Sequence, residues 1–208
     1  MKVRPMLFSA PMVRALLDGS KTQTRRVVKP QPESRHIEQV GSMLGFKKRN
    51  GDGFWLWPNA REKILTDCPY GQPGDRLWVR ENGWERPERT PKMMREGADT
   101  WEPYYFDADG LTDQDSEDFK AWGFKRRPSI HMPRIASRIT LEITGVRVER
   151  LQDISRGDAM AEGCPFPNMA KGDDPRQWYT ALWDQINGAG SWKTNPWVWV
   201  VEFKKVAP

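Results

Sequence analysis

Arg138-Ile139-Thr140-Leu141-Glu142-Ile143-Thr144-Gly145-Val146-Arg147-Val148 is the stretch whose reading decides the fold. Ile139, Leu141 and Ile143 alternate with polar residues, the period of a strand that turns one face to a core. Past Gly145 the apolar residues are Val146 and Val148, so the phase slips by one. A glycine at a phase slip marks a β-bulge or a sharp bend, the device by which a small closed sheet turns a corner.

Elements of both kinds surround this strand. Upstream, Tyr70-Gly71-Gln72-Pro73-Gly74-Asp75 is turn chemistry, and Arg76-Leu77-Trp78-Val79-Arg80-Glu81 then alternates as a second strand. Downstream, Ser155-Arg156-Gly157-Asp158 opens a short helix in a capping-box-like pattern that ends at Glu162-Gly163. Asp174-Pro175 opens another, with Trp178, Leu182 and Ile186 on one stripe and Asn187-Gly188 as its stop. Trp197 to Phe203, rich in β-branched and aromatic residues, closes the chain as a strand. Near the start, Ser9 and Pro11 begin a third short helix, with Met12, Val13, Leu16 and Leu17 at helical spacing and Gly19 as its stop. It delivers Ser20 to Arg26 into a loop or the start of a strand.

Two segments interrupt this pattern and read as surface insertions. Residues 30–66 are rich in Pro, Gly and charge, and hold Phe54-Trp55-Leu56-Trp57, expected as a hairpin-like unit. Residues 84–127 contain DADGLTDQDSED (107–118), expected as a mobile surface loop from its Asp, Gly and Ser density. Thr112 and Leu111 stand where a calcium loop needs Gly and an oxygen ligand, which excludes that motif. The expectation is an α+β chain, one domain over residues 1–208, forming a small mixed β-barrel flanked by short helices.

The 208 residues suit one such domain, and 11 Trp, 8 Phe and 4 Tyr exclude a wholly disordered chain. No run reaches the roughly 18–20 apolar residues of a membrane-spanning helix. Pro5, Ser9, Pro11 and Arg14 break the early apolar stretch, so secretion is not expected and a cytoplasmic location is. Cys68 and Cys164 lie far apart and in no CxxC pair, which points to small buried thiols; neither a metal site nor a cofactor is expected.

Thirty-three Lys and Arg against 28 Asp and Glu give a net charge of +5, unevenly spread. Residues 1–50 hold eleven bases and three acids, whereas 99–118 hold eight acids and no base. That asymmetry fits a positive surface for a phosphate-bearing partner beside an acidic loop, or two solvated faces. The same acidic segment carries Trp101, Tyr104, Tyr105 and Phe106, so 84–127 is also a candidate surface for a protein partner.

The densest set of chemical side chains is Gly19-x-Lys21-x-x-Thr24-x-Arg26. A lysine acts as a base only if its pKa falls, and burial or neighbouring cations such as Arg25 and Arg26 push it that way. The same residues equally suit a phosphate-gripping edge, or a solvated strand. Just before the long strand, His131 and Arg134 are candidates to hydrogen-bond a base and to grip a phosphate. Trp78, Trp84, Trp122, Trp192 and Trp197 include candidates for base stacking.

Taken in order, Gly19, Lys21, Thr24 and Arg26, then Pro73-Gly74-Asp75-Arg76-Leu77-Trp78-Val79-Arg80-Glu81, the long strand, Ala159-x-x-Glu162-Gly163 and the terminal strand Val198 to Phe203 resemble the ASCH domain. The likeness covers roughly residues 4–29, 68–82, 128–163 and 175–206, and is nearest to phage- and prophage-encoded members. It implies a PUA-like barrel with a basic cleft for RNA, a nucleotide or a modified nucleoside. Some bacterial members are metal-independent amidohydrolases of N4-acetylcytidine that use a lysine, a threonine and a glutamate. By motif position those catalytic roles fall on Lys21, Thr24 and Glu162. Other members are ribonucleases or RNA binders, so the likeness leaves the activity open. Both insertions lie outside the matched segments, where they either roof the cleft or obstruct it.

Overall fold

The computed structural model describes residues 1–88, 90–95, 97, 101–165 and 174–207. In chain order the elements are β1 (Val3–Leu7), α1 (Ala10–Leu17), β2 (Gln23–Val27), β3 (Glu33–Ile37), β4 (Gly41–Lys47), β5 (Phe54–Trp57), α2 (Arg61–Thr66), β6 (Arg76–Arg80), β7 (Gly83–Glu85), α3 (Pro91–Arg95), β8 (Tyr104–Phe106), α4 (Asp113–Ala121), β9 (Lys125–Arg127), β10 (Thr140–Arg150), α5 (Arg156–Ala161), α6 (Pro175–Asn187) and β11 (Trp197–Val206). The class is α+β.

The central sheet has the order β1-β6-β10-β11-β2, with β1 parallel to β6 and the other pairs antiparallel. The expected bulge lies in β10: Ile143 pairs with Phe203 and Gly145 with Glu202, which leaves Thr144 as the extra residue. Its effect on the sheet is visible in the pairing. Before the bulge, Thr140 to Glu142 pair with β6; after it, β10 continues with β11 alone. The turn before β6 fills the gap, with Gly74 N–H donating to Ile143 O (2.8 Å) and Ile143 N–H to Asp75 O (2.9 Å).

β11 is the spine of the molecule because both of its faces are covered. Trp199, Val201 and Phe203 join Leu77, Ile139 and Leu141 in one cluster, which also takes Val13 and Leu16 of α1. Val198 and Val200 point the other way into a cluster with Leu151, Tyr179 and Trp183. Each fully buried aliphatic side chain there contributes about 1.5–3 kcal/mol relative to exposure.

The sheet is open, with β1 and β2 as its edges, and among the described residues no closed barrel is formed. Its edges nevertheless approach each other, since Arg26 on β2 donates from Nη2 to Leu7 O at the end of β1 (2.6 Å).

Residues 30–66 fold as a three-stranded sheet β3-β4-β5 with α2, more than a hairpin, and residues 84–127 form a second small sheet β8-β7-β9. The acidic run expected as a loop contains a 3-10 turn at Asp107–Asp109 and then α4. Thr112 and Asp115 form a reciprocal capping box at its start, and Phe119 anchors it against Trp84 and Phe124. Helices are therefore more numerous than the three expected. The stripe expected on α6 is also offset: Tyr179 and Trp183 are buried, while Ile186 is 51% exposed. Among the described residues no helix is long and apolar enough to cross a membrane.

Candidate functional site

Gly19 ends α1 with φ +83°, after which Lys21 N–H donates back to Ala15 O (2.9 Å). The chain then runs beside the end of α5: Lys21 and Glu162 form an isolated antiparallel bridge, and Thr22 N–H donates to Ala161 O (2.8 Å). α5 itself is set by the capping box between Ser155 and Asp158 that the sequence showed. Gly163 ends it with φ +94°, and a Cβ there would stand 2.9 Å from Ala15 Cβ and 3.3 Å from Lys21 Cβ. Only glycine lets α1, Lys21 and Glu162 meet so closely.

The result is a buried ionic network. Lys21 Nζ donates to Glu162 Oε2 (2.7 Å) and to the Glu162 carbonyl (2.9 Å), with both residues at most 3% exposed. Arg25, 4% exposed, reaches Glu162 Oε1 (3.3 Å), Glu149 Oε1 (2.6 Å) and Asp158 Oδ2 (3.4 Å). Arg147 then ties Glu149, Asp158 and Glu202 together from the rim. Such a cluster survives burial because every charge in it meets an opposite one, and Arg25, Arg147, Glu149, Asp158 and Glu162 each meet at least two.

Burial pushes the Lys21 ammonium below its ordinary pKa; the carboxylate of Glu162 opposes this, and Arg26 and Arg25 reinforce it. Burial, then the charge of Glu162, moves the Tyr179 phenol well above its usual value. Burial acts against the charge of Asp158, but the Ser155 hydroxyl and N–H, with Arg25 and Arg147, hold its carboxyl down at about 2.

Beside this network opens a cavity of about 690 Å³, bordered by Thr24, Arg25, Arg26 and Glu162 on one side and by Tyr179 and Leu182 of α6 on another. Its size lies within the range of small-molecule sites, roughly 300–1,000 Å³. Of the α6 stripe, Leu182 packs against the core and also borders the cavity, and Ile186 borders it from an exposed position. Arg25 Nε, Arg26 Nε and Trp183 Nε1 are buried without a hydrogen-bond partner among the described residues, which leaves three donors of cavity-lining residues unused.

The structure therefore brings together Lys21, Thr24, Arg25, Arg26 and Glu162. Lys21 does not line the cavity; it stands behind Glu162 and meets it through that carboxylate. His131 and Arg134 are exposed in 3-10 turns and lie outside the cavity wall, which the preceding Ser129 joins in their place. None of the five tryptophans considered for stacking borders the cavity; Trp84 and Trp197 are core. The aromatics of 84–127 largely pack on one another, Tyr105 against Phe119 at 4.9 Å and Trp101 against Trp122 at 5.4 Å between ring centroids. Asp99 and Arg89 of that segment lie outside the described residues.

Sequence reasoning missed Tyr179, Asn82, Glu149, Asp158 and Arg147. Tyr179 carried a signal, the Tyr179–Trp183 pair at i and i+4; Asn82, whose side-chain carbonyl accepts from Ser129 N–H (2.7 Å), carried none. Cys68 and Cys164 are buried, and neither is in a disulfide. No protein-family profile, no curated protein and no solved structure matches this chain.

Proposed function

We propose that this chain is an ASCH-type, PUA-like protein whose cleft binds RNA or a modified nucleoside and hydrolyses the acyl group of N4-acylated cytidine. In this reading the open five-stranded sheet, its edges drawn together by Arg26, is the curled wall of the PUA-like barrel. The observation that carries the proposal is Glu162: a carboxylate 3% exposed, bordering a cavity of nucleoside size, and held by a lysine 141 residues away.

The chemistry uses the direct contact within that pair. Burial favours the neutral form of Lys21, and the two neighbouring guanidinium groups of Arg26 and Arg25 act the same way. Neutral Lys21 takes a proton from the Thr24 hydroxyl or from water, and that oxygen attacks the acyl carbon. The carbon–nitrogen bond then breaks, the proton taken by Lys21 passes through Glu162 to the departing cytosine amine, and water carries the acyl group away as the carboxylic acid. Arg25 and Arg26 supply the positive field for the oxyanion and for phosphate.

The test is release of cytidine and acetate from N4-acetylcytidine, followed by chromatography in buffer containing EDTA. Lys21→Arg should lower kcat/KM by about 10²–10⁴, because a guanidinium does not deprotonate in a protein. Glu162→Gln should lower it comparably. No turnover by the unaltered protein would overturn the hydrolase reading; turnover undiminished in Lys21→Arg would overturn the assignment of the base.

A further inference from the structure

The insertion over residues 30–66 adds a second pocket beside the first. It encloses about 350 Å³ and shares Lys29 and Pro69 with the larger cavity, so the two adjoin. Its deep wall is apolar, from Val28, Phe46 and Trp199 of the main core. Its rim is cationic: Lys29, Lys47, Lys48 and Arg49 all border it, and none is in an ion pair among the described residues. Lys29, Lys47 and Arg49 are exposed, while the Lys48 ammonium lies 4.5 Å from the centre of the Trp55 ring. The one carboxylate in the wall, Asp67, is engaged: its Oδ2 accepts from Trp55 Nε1 (2.7 Å) and from the Arg49 N–H (3.1 Å).

An apolar and aromatic wall beneath four cations outside any ion pair matches a nucleotide, whose base seeks a π-face and whose phosphate seeks cations. An acidic peptide has no use for the apolar wall, and a single phosphate none for the pocket's depth. Two adjoining pockets with a shared lysine match two nucleotides of one strand, with Lys29 facing the phosphate between them.

We infer that the pocket built by 30–66 is a second nucleotide subsite, which makes the ligand a single-stranded polynucleotide rather than a free nucleoside. The inference rests on reading the first cavity as a nucleoside site, and it assigns the insertion a role in recognising the neighbouring nucleotide.

Binding of cytidine monophosphate and of labelled single-stranded oligonucleotides two, four and eight residues long, as RNA and as DNA, tests it by fluorescence anisotropy and by displacement. The expected result is a gain of at least tenfold in affinity from one nucleotide to four. Lys47→Ala with Arg49→Ala, both exposed at the rim, should remove most of that gain and leave monophosphate binding unchanged. The same pair should lower the slope of log K against log salt by about 0.7 for each phosphate that the two side chains neutralise. Tighter binding of either RNA or DNA, or of both alike, supports the subsite, and a preference between them identifies its natural strand.

Monophosphate binding with no gain on lengthening, or a gain untouched by the double variant, would overturn this inference and leave the first cavity's reading standing. Displacement by poly-glutamate as strong as by an oligonucleotide would also overturn it, in favour of an acidic peptide. No monophosphate binding at all would overturn the reading of the first cavity instead.

Discussion

Glu162→Gln isolates what the buried carboxylate does for the fold. In the native protein it accepts from Lys21 Nζ at 2.7 Å and from Arg25 at 3.3 Å. The amide keeps the shape but not the charge. Arg25 retains Glu149 and Asp158, so the loss falls mainly on Lys21, whose ammonium then meets only uncharged acceptors, the amide oxygen and the backbone carbonyl of residue 162. Breaking a buried ion pair by removing one partner costs about 3–5 kcal/mol. Here a ceiling applies, because Lys21 escapes by losing its proton. From an ordinary lysine pKa to neutral pH that costs about 5 kcal/mol at ~1.4 kcal/mol per unit. With Arg25 still paired, a loss of about 2–4 kcal/mol at pH 7 is expected.

The sign of its pH dependence follows from linkage. The folded pKa of Lys21 lies below its unfolded value, so the unfolded chain binds more protons between the two, and stability rises with pH through that window. Removing Glu162, which raises the folded value, widens the window downward. The deficit of the variant should therefore be largest near pH 5 and narrow toward pH 10. Urea unfolding across that range, followed by tryptophan fluorescence, measures it. A deficit below about 1 kcal/mol, or one that widens with pH, would refute the reasoning.

Gly163→Ala should cost about 1–3 kcal/mol, since the site needs positive φ and has no space for a methyl group beside Ala15; urea midpoints measure the loss, and an unchanged midpoint would contradict the close approach. Ser155→Ala removes one half of the α5 capping box and should cost about 1 kcal/mol in the same assay. Asp158 and Asp75 are held at about 2 in the folded protein, against 3.8 as ordinary carboxyls, so their stabilisation is complete above about pH 4 and lost as pH falls through 2. Acid titration followed by circular dichroism should show that limb, flattened in Asp158→Asn. Burial moves the Cys68 thiol up to about 11, so iodoacetamide at pH 8 should label it in the unfolded chain and spare it in the folded one, as mass spectrometry of the Cys68 peptide reads out.

What the sequence could show was whatever a few neighbouring residues determine. The slip at Gly145 disclosed the β10 bulge because strand alternation is local and a single extra residue breaks it. Ser155 and Asp158 disclosed the start of α5 because a capping box is a contact across three residues. The same signal stood at Thr112 and Asp115, but the acidic composition masked it, since α4 has only Phe119 buried and thus no apolar period. The offset on α6 has a related cause: Tyr179 and Trp183 are its buried residues, Trp178 and Leu182 pack beside them only partly buried, and Ile186 is exposed at the cavity, while the polar tip of Tyr179 reaches Glu162. The Lys21–Glu162 pair lies beyond any local pattern, because 141 residues separate its members and only the assembled sheet joins them. Even so, each end carries its own mark. Gly19 turns the chain after α1 so that Lys21 bonds back to Ala15, and Gly163 clears the space where that turn and the end of α5 touch. The backbone bridge between Lys21 and Glu162 sets the two residues side by side, independently of their side chains. Two glycines and one bridge therefore set the geometry, and the ion pair occupies a place the backbone has already prepared. A site built this way holds its carboxylate at the cavity whether or not the lysine carries its proton.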